Sequence, residues 1–203
     1  MTVTLRRPPP LETSLRVQRR GFEVDLLQGD QLVASARPGS WTAPAPAPIP
    51  LEQAWAAEPA YLGLHAHPFP TCFVCGTGRE PGDGLCLSPG LVGPGKTACT
   101  WTPDTSLALD GWHPAPEFVW SALDCPGGWT SDLQARPLVL GRMTASCQAL
   151  PVLDQPHLVV GQLLGEDGRK TFTATALYDD ERLLARAEHV WIAVDPATFQ
   201  QLS

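Results

Sequence analysis

Charge is scarce in this chain. Only 17% of its 203 residues are Asp, Glu, Lys or Arg, against 43% hydrophobic. That balance suits a globular protein long enough to bury a sizeable core. The 14 basic residues are outnumbered by 21 acidic ones, for a net charge of -7 and a pI near 5.1. A nucleic-acid binder normally shows a basic face, so that class is set aside. No apolar run approaches the roughly 20 residues that cross a bilayer. The N-terminal stretch Met1 to Pro8 has no apolar core of the secretory kind. The expectation is a cytoplasmic protein with neither nucleic-acid nor membrane partner. Catalytic signatures are sparse too. There is no Gly-x-Ser-x-Gly, and GLVGPGK at residues 90–96 lacks the spacing of a phosphate-binding loop.

Six cysteines are present, at positions 72, 75, 86, 99, 125 and 147. Without a secretory signal they are not expected to form a disulfide framework. Cys99, Cys125 and Cys147 sit in apolar segments and read as small core residues. Cys72-x-x-Cys75-Gly76 is a tight turn in which two thiolates can meet one metal. Cys86 and His67 could complete a tetrahedral zinc site, a structural staple for a Gly/Pro-rich loop with little core of its own. Free buried thiols are the competing reading.

Most of the chain reads as strands and turns. Val3 to Arg7, Ser14 to Arg19, Phe22 to Leu27 and Leu32 to Ala36 alternate or are β-rich, and Gln28-Gly29-Asp30 joins the last two as a hairpin. The Pro/Ala-rich stretch 38–50 reads as a semi-extended linker, and Leu51 to Ala57 as a short helix. Residues 63–96 read as an ordered loop, and Thr97 to Trp101 as a strand. Four further strands are expected at Leu138 to Leu150, His157 to Leu164, Lys170 to Tyr178 and Leu183 to Val194. The chain also repeats itself. Phe22 to Asp30 lines up with Phe172 to Asp180, and Leu32 to Ala36 with Leu183 to Ala187. Three regions result: residues 1–40 as a strands-only half-unit, 41–65 as linker and short helix, and 66–203 as the main domain.

The one strongly helical run is 116–125. Pro116 suits a first helical position, and Phe118, Val119, Ala122, Leu123 and Cys125 form an apolar face. Glu117, Ser121 and Asp124 share a polar stripe, and Pro126-Gly127-Gly128 is expected to end the helix. A carboxylate held on a half-buried helix is desolvated and can act as a general base. Asp124 is therefore the leading catalytic candidate, with Ser121 and Glu117 beside it. The backbone amides of Gly127 and Gly128 could polarise a carbonyl. Trp120 and Trp129 could line an apolar pocket, and Arg142 could grip a phosphate.

His67-Pro68-Phe69-Pro70-Thr71-Cys72-Phe73-Val74-Cys75-Gly76, with Gly82-Asp83-Gly84-Leu85, resembles a segment ahead of the hotdog domain in bacterial thioesterase-like proteins. Ala122 to Gly128 resembles the helix motif of the same group. The resemblance implies an α+β hotdog fold, an antiparallel sheet wrapped around a central helix, with residues 1–40 as a partial hotdog repeat. It implies edge-to-edge pairing of two such units, hence a homodimer. It further implies hydrolysis of an acyl-CoA thioester, with Asp124 as base or nucleophile and no cofactor required for the chemistry. Hotdog domains also serve as non-catalytic acyl- or CoA-binding modules and as hydratases or dehydratases.

Overall fold

Alternating apolar and polar residues build one large sheet. The computed structural model describes residues 1–80 and 82–195; the last residues of the 66–203 region, 196–203, lie outside the described part. The strands are β1 (Thr2–Leu5), β2 (Arg16–Arg20), β3 (Glu23–Gln28), β4 (Gln31–Arg37), β5 (Gly90–Gly93), β6 (Lys96–Trp101), β7 (Leu138–Cys147), β8 (His157–Asp167), β9 (Lys170–Asp179) and β10 (Arg182–Ala193). They pair antiparallel in the order β2-β3-β4-β1-β7-β10-β9-β8-β6-β5. The short β5 lies inside the stretch read as loop, because Gly90, Leu91 and Gly93 find ladder partners on β6, with Val92 bulged out between them. β7 stops at Cys147, three residues early, where Gln148 and Ala149 turn to bond the Leu184 carbonyl.

The internal repeat is visible in the strand order. β2-β3-β4-β1 mirrors β8-β9-β10-β7 across the β1–β7 pair. In the first hairpin Leu27 faces Leu32 and Leu26 faces Ala34, so Val33 is bulged out. In the second, Tyr178 faces Leu183 and Leu177 faces Ala185, so Leu184 is bulged out. Gly29 and Asp180, both at positive φ, occupy the same place in the two turns, as a tight hairpin turn demands. Leu26 is thus the equivalent of Leu177, not Leu27 the equivalent. The pairing of Phe22 to Asp30 with Phe172 to Asp180 slips by one residue, which in a strand swaps faces. The match of Leu32 to Ala36 with Leu183 to Ala187 holds. The edge-to-edge pairing expected between chains is made here within one.

Each face of the β5–β10 region is covered. α1 (Leu51–Ala57) packs Ala54 against Ala98, Leu158, Val160, Ala176 and Tyr178. The Pro/Ala-rich stretch is pinned on the same side: Thr42 and Ala43 amides bond the Glu188 carboxylate, and the Tyr178 hydroxyl donates to the Pro46 carbonyl at 2.6 Å. On the other face lies α2 (Pro116–Ala122), with Val119, Ala122 and Leu123 buried against Cys99, Trp101, Val159, Leu177 and Ala187.

The helical run does not end at Pro126. It breaks at Leu123 and Asp124, and Pro126 sits in the first turn of a second short helix, α3 (Cys125–Gly128), where its missing amide costs nothing. A break leaves carbonyls without helical partners, and the sheet supplies them. Thr175 on β9 donates to the Leu123 carbonyl and Thr97 on β6 to that of Pro126, both at 2.7 Å. The approach is close: a Cβ on Gly161 would come within 2.4 Å of the Pro126 oxygen. Glycine there is what lets the broken helix touch the sheet.

Candidate functional site

The break aims Asp124 and Cys125 at a different target from Glu117 and Ser121. Glu117 is exposed in the first turn of α2. The Ser121 hydroxyl donates back to the Glu117 carbonyl at 2.9 Å. Neither lines a cavity with Asp124, so the single polar stripe dissolves at the helix break. His113, ahead of α2, stands 3.1 Å from Asp110 in an exposed turn and does not line the cavity of Asp124.

Asp124 instead lines a cavity of about 350 Å³ with His67, Cys72, Cys75, Cys125, Gly128 and Trp129, within the size range of small-molecule pockets. Leu133, Leu138, Leu140 and Trp191 supply apolar wall. The Asp124 Oδ1 is shielded from solvent and has no hydrogen-bond partner. Burial, and then the charge of Cys72, pushes the carboxyl up to about 7. A turn-capping acid would have its oxygens bonded to amides; this one does not.

Of the pocket candidates, Gly128 and Trp129 line the cavity, whereas Trp120, partly buried, packs against the main core instead. The Gly127 amide donates to the Asp124 carbonyl at 3.1 Å, so it is not free to polarise a substrate. Gly127 is pressed against the sheet, with Thr173 Oγ1 2.7 Å from where a Cβ would stand. Arg142 pairs with Val190 and donates to Thr4 Oγ1 at 3.2 Å. It flanks the helix-facing Met143, so it lies on the opposite face of the sheet, away from this cavity.

The cysteines converge differently from the spacing. Cys72, Cys75 and Cys125 place their sulfurs within 4.8 Å of one another, a group that could hold a metal ion. Cys86 is exposed, at φ 52°, and its sulfur lies 3.8 Å from the Gly84 carbonyl. The backbone turns outward there and removes it from the cluster. Cys125 takes the place sequence reading gave to Cys86. Its apolar neighbours hid it, and only the helix break swings it toward the loop.

The loop side is a tight knuckle. The Gly76 amide donates to the Cys72 carbonyl at 2.9 Å, and a Cβ on Gly76 would meet the Pro70 oxygen at 2.4 Å. Leu85 and Leu87 amides tie the returning chain to Phe73 and Val74. Around Cys75 the Trp129 indole donates to the sulfur at 3.4 Å, and His67 Nε2 stands 3.3 Å away. The Tyr61 hydroxyl donates to the Cys75 carbonyl at 3.0 Å and packs edge-on against Trp129. Hydrogen bonds from the Cys125 and Cys75 thiols hold Cys72 below its ordinary value. Cys125 is pushed up by its hydrogen bonds with Cys72 and Cys75 and by burial.

No family model matches the sequence, and no curated protein is similar to it. Solved structures are. A thioesterase superfamily member 2 from zebra fish aligns over 58% of this chain and 89% of its own, at 17% identity and a TM-score of 0.50. A conserved protein of Pseudomonas aeruginosa aligns over 54% of this chain and 90% of its own, also at 17% identity and 0.50. Among the described residues no helix is long and apolar enough to cross a membrane. At such identities the likeness speaks for the fold, and the fold is the hotdog-like one of thioesterase superfamily proteins.

Proposed function

We propose that the protein hydrolyses an acyl thioester of the acyl-CoA class, with Asp124 as general base or nucleophile. The observation that carries this is the shielded Oδ1 at the wall of the cavity, without a hydrogen-bond partner. A carboxylate left unbonded beside an apolar space is costly unless it serves a ligand. The acyl chain lies along Leu133, Leu138, Leu140 and Trp191, and the thioester carbon meets Asp124. From there Asp124 either deprotonates the attacking water or attacks the carbonyl carbon itself. A zinc ion held by the sulfur cluster is the cofactor this reading carries, and the hydrolysis is assigned to Asp124.

One observation favours a second reading, a non-catalytic acyl-binding module. The Gly127 amide, a candidate for polarising the thioester, is occupied by the Asp124 carbonyl. Free-thiol release from a panel of acyl-CoAs of graded chain length separates the two. Turnover with a chain-length optimum is expected. No release at any length, with a CoA thioether analogue still bound, would establish the binding module instead.

A further inference from the structure

Three sulfurs at the wall of a cavity pose a question of charge. The Cys72 and Cys125 sulfurs are 3.5 Å apart. Two thiolates about 2.3 Å from one tetrahedral zinc would stand about 3.8 Å apart. The spacing is close to that of two ligands on a common ion. The donors come from two rigid pieces far apart in sequence: the knuckle closed by Gly76, and the α2–α3 junction held by Thr97 and Thr175.

The surroundings tell which groups are ligands and which are not. The Phe69 amide donates to His67 Nδ1 at 2.9 Å. A neutral imidazole that accepts at Nδ1 carries its proton on Nε2, and that N–H faces Cys75. His67 and the Trp129 indole thus both donate to the Cys75 sulfur, the part outer groups play around metal thiolates. Cys86 is outside. Three protein ligands remain, and all three line the cavity with Asp124, whose shielded oxygen has no hydrogen-bond partner. A closed structural site has four protein ligands, whereas three with an open position admit a ligand from outside.

We infer that Cys72, Cys75 and Cys125 bind one Zn²⁺ as a three-thiolate centre whose fourth position faces the cavity and accepts an exogenous ligand, water at rest and a small thiol when one enters. Soft thiolate donors select zinc over the hard cations. An entering thiol displaces the water and binds as its thiolate, releasing one proton. The metal centre stands independently of the hydrolase reading. The thiol as incoming ligand rests on that reading, because a thioester cut beside Asp124 frees a thiol there.

The test uses full-length protein purified under reducing conditions without added metal. Elemental analysis is expected to find about one zinc per chain. Cys125→Ser and Cys72→Ser should lower it at least about tenfold, and Cys86→Ser should leave it unchanged. In Co²⁺-exchanged wild-type protein, the visible absorption should report tetrahedral cobalt with thiolate ligands and shift on titration with cysteamine. Because that spectrum is read on the wild type, the inference stays testable even where a serine variant fails to fold. Zinc content well below one with all six cysteines titrating as free thiols in the denatured chain, or a Cys72–Cys125 disulfide in the purified chain, would overturn the metal centre. A cobalt spectrum indifferent to cysteamine would overturn the open position. No acyl-CoA enters these measurements, so a zinc-loaded protein inactive toward acyl-CoA would sink the hydrolase reading alone.

Discussion

The β1–β4 and β7–β10 halves share strand order, hairpin bulge and turn, yet differ in what covers them. Leu177 on β9 is fully buried beneath α2, while its equivalent Leu26 on β3 is only partly buried. Val3 faces Met143, and the register carries that helix-facing side through Ala36 and Ala34 to Leu26 and Val17. Val17, at its end, is 57% exposed. The same strand topology is a core in one half and a surface in the other. What the difference teaches is that the helix, more than the strands, makes the site. The shielded Asp124 oxygen, the sulfur cluster and the cavity they line all belong to the half that carries α2 and α3.

That contrast can be broken by mutation. Leu177→Ala removes a fully enclosed side chain and is expected to cost about 2–5 kcal/mol in urea denaturation. A smaller cost would mean the α2 side is no better packed than its counterpart. Acid probes the same side at His189, which is buried beside Thr173 and near α3. Burial lowers it to about 4 from 6.5. The unfolded chain takes up a proton that the folded one refuses, so the contribution of His189 to stability is full above pH 6.5. It declines as pH falls toward 4, by up to about 3 kcal/mol. His67 and His157 are also lowered by burial and act with the same sign. The raised Asp124 carboxyl acts with the opposite sign over the same range, so the His189 effect is read as a difference. His189→Gln should gain denaturation midpoint relative to the wild type as pH falls from 6.5 to 4.5. The smallest effect belongs to Leu26→Ala, expected to cost under about 1 kcal/mol because the side chain is only partly buried. A loss equal to that of Leu177→Ala would show that something covers the bare half in solution.

Much of the fold was legible in the sequence. Alternation and turn residues gave the hairpins, and Pro116 gave the start of α2. The repeat was visible too, but a one-residue slip in the first hairpin went unseen, because Phe22 and Phe172 look alike while the shared bulge leaves no mark in composition. The site was legible in part. Asp124, Cys72, Cys75, His67 and Trp129 were all marked by residue type and spacing, and the structure brings them to one cavity. Cys125 was read as core, since nothing local says that Pro126 starts a helix instead of ending one. Cys86 was drawn in by nearness along the chain, which a left-handed backbone turn at that residue defeats. Arg142 failed for a simpler reason: strand alternation decides its face, and a bulge between Val190 and Trp191 displaces the register there.

The most direct test is the rate of thiol release by Asp124→Asn beside the wild type, on the best acyl-CoA of the panel and with circular dichroism confirming the fold. The amide keeps the shape and removes the charge. A loss of about 10²–10⁴-fold in kcat is expected of a positioned acid–base group. Unchanged turnover would contradict the assignment and move the chemistry away from the helix break.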